Sequence, residues 1–128
     1  INSLLNWMEK NTADYTNTFC FLMGISINNE IYKDKNLEDW LKAWKKRSSL
    51  NNTHKEKQLE IMKKVNPVVI PRNHRVEEAL FDAEKDNYKT LNILLSVIQS
   101  PYGPKVDTSK FQTPAPVSKE KYQTFCGT

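Results

Sequence analysis

The run Val76-Glu77-Glu78-Ala79-Leu80-Phe81-Asp82-Ala83 places apolar residues at i, i+3, i+4 and i+7, and Leu91, Leu94, Leu95 and Ile98 repeat that spacing a few positions later. A period near 3.6 lines one side of an α-helix, whereas a half-buried strand alternates every second residue. Two such stripes, joined through Asp86-Asn87 and stopped before Pro101, predict an antiparallel helical hairpin. Asn73 stands where it can cap the first of the pair.

The same period recurs toward the amino terminus. Leu37, Trp40, Leu41 and Trp44 form a complete stripe, with Asn36 as the expected cap and Lys42, Lys45, Lys46 and Arg47 crowding the carboxyl end, where basic groups complement the helix dipole. Two tryptophans on one helical face imply core packing more readily than base stacking. Tyr15, Phe19, Leu22 and Met23 mark an earlier helix that Gly24 can end, and Leu4, Leu5 and Met8 one before it. Cys20, beside that stripe, is expected to be a buried small hydrophobe. Thr53 and Glu56 form a capping box before Leu59, Ile61, Met62 and Val65, and Asn66-Pro67 ends that helix. Val68, Val69 and Ile70, boxed between Pro67 and Pro71, are expected to run extended as a linker and not as a strand. The fold class is therefore all-α: about six helices over residues 1–100, closing on the hairpin, then an extended Pro-rich tail over 101–128. Four of the six prolines fall in Pro101–Pro116, and Tyr102, Phe111, Tyr122 and Phe125 are spaced as anchors on a folded surface.

The chain has 128 residues, 38% of them apolar and 27% charged, with three Trp, five Tyr and five Phe, enough for one core. Its net charge of +4 is spread along the sequence, so nucleic acid is not a favoured partner. No apolar run of membrane-spanning length occurs, and no charged-then-apolar leader opens the chain. Cys20 and Cys126 do not form a C-x-x-C pair, and a hydrophobic domain of this kind points to a reducing compartment rather than a disulfide scaffold.

No constellation of catalytic groups stands out. Glu77, Glu78, Asp82 and Glu84 suit the solvated side of a helix, His54 a polar exposed turn, and the two His and two Cys lack metal-ligand spacing. The three glycines, Gly24, Gly103 and Gly127, cannot form a phosphate-cradling loop, and no D-F-G sequence is present to hold magnesium.

The stretch Asn66-Pro67-Val68-Val69-Ile70-Pro71-Arg72-Asn73-His74, together with Ala13-Asp14-Tyr15-Thr16-Asn17-Thr18-Phe19, the tryptophan helix, Val76-Glu77-Glu78-Ala79, Ser100-Pro101-Tyr102 and the terminal Thr124-Phe125-Cys126-Gly127-Thr128, resembles the C-terminal end of the selenoprotein O family of kinase-like protein adenylyltransferases. With Ile1 opening the sequence inside an apolar pattern, the expectation is a C-terminal fragment whose kinase-like catalytic domain lies upstream. The resemblance implies a longer parent enzyme that uses ATP and Mg2+ or Mn2+ to transfer AMP to Ser, Thr or Tyr hydroxyls of protein substrates. Catalytic residues, cofactor and metal would all belong to that upstream part and none to this fragment. The implied partner is the chain's own kinase-like domain, with no membrane involved, and the implied location is cytoplasmic if the source is bacterial, targeting being left open.

Cys126 stands third from the end, where selenium-containing members carry selenocysteine, so the resemblance makes it a redox candidate that pairs with a catalytic-domain thiol, against the plainer reading of a free, unpaired tail cysteine in this fragment. Arg72, Asn73 and His74 become domain-interface candidates, against the plainer reading in which Asn73 caps a helix and its neighbours face solvent. Arg72 has no acidic partner within its own segment. The alternative to a bracing domain is an independent helical module that binds a protein or RNA partner through the basic tryptophan helix or the aromatic tail.

Overall fold

A computed structural model of the chain describes residues 2–50, 55–103 and 107–115, and these are helical with no strand. Seven α-helices follow in order: α1 (Asn2–Lys10), α2 (Tyr15–Leu22), α3 (Lys35–Ser49), α4 (Lys55–Val65), α5 (Asn73–Ala83), α6 (Lys89–Ile98) and the short α7 (Ser109–Gln112), with a 3-10 turn at Glu30–Lys33 before α3. The all-α expectation holds, and residues 68–70 run as a non-strand connection.

Local chemistry sets most of the boundaries. Asp14 caps α2 by accepting the Asn17 N–H at 2.8 Å, and Gly24, at φ 83°, turns the chain just after its end. The cap of α3 is Asp34 and not Asn36: its Oδ1 accepts from the backbone of Asn36 and Leu37 and also from Trp7 Nε1 at 2.8 Å. A charged carboxylate oxygen is a stronger acceptor than a neutral amide oxygen, so Oδ1 of one Asp can serve the helix start and the indole together. Arg72 is the cap residue of α5, without a side-chain cap bond, and Asn73 is already the first helical residue. The Thr53–Glu56 capping box and His54 fall on or beside residues outside those described.

Two apolar cores divide the described residues. The first joins Leu4, Trp7 and Met8 of α1 to Leu22, Tyr32 and Leu37, with Trp40, Leu41 and Trp44 packed beside them. The second joins Val69, Ala79, Leu94, Val97 and Phe111. α5 and α6, linked by residues 84–88, pack on one another more extensively than any other pair of described helices. Ala79 is fully enclosed at this contact, where a side chain of one methyl lets the helix axes come close.

The register of burial departs from the predicted stripes at several positions. Leu80 is 52% exposed, Leu95 41%, Leu5 40% and Tyr15 61%. On α5 only Ala79 is buried, flanked by the half-buried Val76 and Ala83, so the inward line runs one step around from Leu80. α4 buries no residue, although Leu59, Ile61, Met62 and Val65 share its sequence pattern. Part of the segment expected to be extended is helical: α7 places Phe111, 6% exposed, in the second core.

Candidate interface site

Asp14, at the start of α2, meets Arg72, the cap residue of α5, in a two-armed ion pair: Nη1 donates to Oδ2 at 2.7 Å and Nη2 to Oδ1 at 2.9 Å. Arg72 Nε donates to the Phe111 carbonyl at 3.2 Å, and Nη2 also reaches Asn17 Oδ1 at 3.5 Å. The guanidinium side chain is 9% exposed and the carboxylate 20%. Arginine suits this position because its planar fork matches a carboxylate edge and leaves Nε for a third acceptor. Burial pushes the Asp14 carboxyl up, but Arg72 and the Asn17 N–H outweigh it and hold Asp14 below the usual carboxylate range.

Further hydrogen bonds knit the same junction. Asn17 Nδ2 donates to the Gln112 carbonyl at 3.0 Å, and Gln112 Nε2 to the Val68 carbonyl at 3.4 Å. Val68 N–H donates to the Pro101 carbonyl at 2.7 Å. Thr18 Oγ1 binds the Asp14 carbonyl at 2.7 Å and lies 3.3 Å from the Tyr32 hydroxyl. Cys20 is fully buried, as expected, with Sγ 3.9 Å from the carbonyls of Pro67 and Val68. Burial, reinforced by Asp14, pushes its thiol up to about 11, so it is a packing residue and no nucleophile.

The segments 14–18, 66–74 and 100–102, far apart in sequence, thus converge on one site. The partner that Arg72 lacks in its own segment is supplied by Asp14, 58 positions earlier. Sequence spacing offered no signal for that pairing. Asn73 is exposed and His74 half-buried, and burial together with the charges of Arg75 and Arg72 holds His74 below the ordinary histidine value, so it is neutral at pH 7. Cys126 lies outside the described residues.

Other expected surface groups also have partners. Glu78 bridges Arg75 at 2.8 Å and Lys110 at 2.7 Å, tying α5 to α7, and Asp82 accepts from the Thr90 hydroxyl across α5 and α6. Trp40 and Trp44 stack on each other at 5.8 Å, and Trp40 Nε1 donates to Ser3 at 3.1 Å, so the tryptophan helix packs against α1. Among the described residues no three His, Cys, Asp or Glu side chains are grouped to hold a metal, and no helix is long and apolar enough to cross a membrane.

No protein-family model and no solved structure matches the chain. Curated proteins do. The protein nucleotidyltransferase YdiU of Pelagibacter ubique (strain HTCC1062) is 45% identical over 130 residues, covering 100% of this chain and 27% of its own length. The proteins of the same name from Bacillus cereus (strain G9842) and Bacillus mycoides (strain KBAB4) are each 42% identical, with the same coverage. This chain spans only about a quarter of the length of these relatives. Matched along its whole length at such identities, it belongs to the protein nucleotidyltransferase YdiU family and corresponds to the C-terminal part of its members.

Proposed function

We propose that this chain is a noncatalytic helical brace for the kinase-like part of a protein nucleotidyltransferase. That part would use ATP and Mg2+ or Mn2+ to transfer AMP to hydroxyls of protein substrates. The observation that carries the reading is the closed pairing of Asp14 and Arg72, the charged residues of the most distinctive segments, with each other. A buried pair closed within one chain costs several kcal/mol to break, and so holds the elements that carry it together. In this reading Asn73 and His74, which lie at the start of α5 beside this junction, meet the kinase-like domain.

In this reading Cys126 is a redox thiol. It would join a cysteine of the kinase-like domain, the two thiols giving up two electrons and two protons to a peroxide, which is reduced to water or an alcohol.

Titration of the chain with Mg-ATP by calorimetry is expected to give no saturable micromolar site, and such a site would overturn the noncatalytic assignment. In a full-length protein carrying this segment, Cys126→Ser is expected to remove the response of AMP transfer to oxidant. An unchanged response would remove the thiol from the mechanism while leaving the brace intact.

A further inference from the structure

Among the described helices α4 alone buries no residue. It has 11 residues. A helix so short is marginal in water by itself and holds its place by burying an apolar stripe. Here Leu59 and Met62 are half-buried, while Ile61 and Val65 are 53% and 65% exposed. Between α4 and α3 runs an open groove of about 770 Å³, with Leu41, Trp44, Leu59 and Met62 along it and the exposed Lys45 and Lys55 among its lining residues. The helices on either side are basic on balance: α3 carries Lys42, Lys46 and Arg47 against Glu38 and Asp39, with Lys42 paired to Asp39 at 3.2 Å, and α4 carries Lys57, Lys63 and Lys64 against Glu56 and Glu60.

The exposed apolar side chains of α5 and α6 do not form a comparable seat. On α6, Ile93 and Leu95 project roughly 160° apart around the helix, and on α5 Leu80 and Phe81 are about 100° apart. Lys85 also covers the Phe81 ring at 3.6 Å. Scattered apolar residues of that kind are ordinary surface. α5 and α6 already share a core, whereas α4 buries no residue and meets the first core only through the half-buried Met62.

The curated relatives extend well beyond the region matched here, which is 27% of the Pelagibacter protein. We propose that the groove between α3 and α4 seats an acidic amphipathic helix from the N-terminal three quarters of such a polypeptide. Its apolar stripe lies on Leu41, Trp44, Leu59 and Met62, and its carboxylates face Lys45 and Lys55, a helix-in-groove mode with complementary charge. The inference rests on the bracing reading and names the surface through which bracing acts.

The test mixes this chain with the separately produced N-terminal three quarters of the Pelagibacter ubique relative and follows binding by titration calorimetry. Saturable binding is expected. Met62→Glu should weaken it roughly tenfold or more, and so should Lys45→Glu combined with Lys55→Glu, a change of exposed residues that leaves the helical circular dichroism unaltered. Leu80→Glu should leave it unchanged. Binding insensitive to both groove variants, or lost only with Leu80→Glu, overturns the groove assignment and leaves the brace standing. No binding overturns the brace and the groove together. A dimer of this chain alone that Met62→Glu dissociates would make a second copy the occupant and likewise overturn the proposal.

Discussion

A guanidinium offers its donors in a rigid fork, and at Arg72 three of its nitrogens reach acceptors on two other elements, Asp14 on α2 and Phe111 on α7. Lysine carries the same charge without that geometry. Arg72→Lys is therefore expected to lower unfolding free energy by about 1.5 to 3 kcal/mol, the usual size for hydrogen bonds to charged groups, as read from urea titrations. Asp14 gives the junction a pH dependence. Its carboxyl is held below the unfolded value, so its contribution is complete above about pH 4 and is lost as pH falls through the lower folded value. The wild-type urea midpoint should drop more steeply below pH 4 than that of Asp14→Asn, which retains a capping side chain without the titrating charge. Equal slopes would mean that the pair contributes nothing. Cys20, with its thiol pushed up to about 11 and its side chain enclosed, is expected to resist iodoacetamide in the native chain and to react after denaturation, which peptide mapping would show.

At the scale of the helices, periodicity announced that α5 and α6 exist but not which way they roll. A stripe of Val76, Ala79, Leu80 and Ala83 spans about 100° of helix surface, and several rotations bury part of it. The rotation adopted is set by close packing at Ala79, which is 0% exposed, and it leaves Leu80 52% exposed. Tertiary contact decides such a choice, and a single stripe does not contain it. Leu94→Ala is accordingly expected to cost about 2 to 5 kcal/mol, because that side chain is enclosed at 3% exposure, while Leu80→Ala should cost under about 1 kcal/mol. Thermal melts of the two variants check this directly. Caps were legible as turn chemistry but misplaced by a residue or two: Asp34 took the role read for Asn36, since the Trp7 indole that also binds it comes from a helix 27 positions earlier. α4 is the reverse case, a helix whose pattern is clear but which, among the described residues, is no more than half-buried at Leu59 and Met62.

For the whole molecule, the physical question is how two separate apolar cores behave as one body. The first holds all three tryptophans, Trp7, Trp40 and Trp44, packed in or against it, and the second holds none. Between them stand polar contacts: the Asp14–Arg72 pair, Asn17 to the Gln112 carbonyl, and Cys20 against the Pro67 and Val68 carbonyls. The burial of Cys20 was readable from sequence but the clamp was not, because an ion pair closing a loop of 58 residues leaves no periodic trace. If the clamp couples the cores, native unfolding should be a single transition in which tryptophan fluorescence, reporting the first core, and far-ultraviolet circular dichroism, reporting both, coincide. Arg72→Met leaves Asp14 without its counter-charge and removes the bond to Phe111, at an expected cost of about 3 to 5 kcal/mol. The loss should fall mainly on the second core, which has fewer and smaller enclosed side chains. In that variant the dichroism should begin to fall at lower urea than the fluorescence, separating the two curves. Coincident curves shifted together would place the coupling in the apolar contacts and reduce the clamp to one stabilising pair among others.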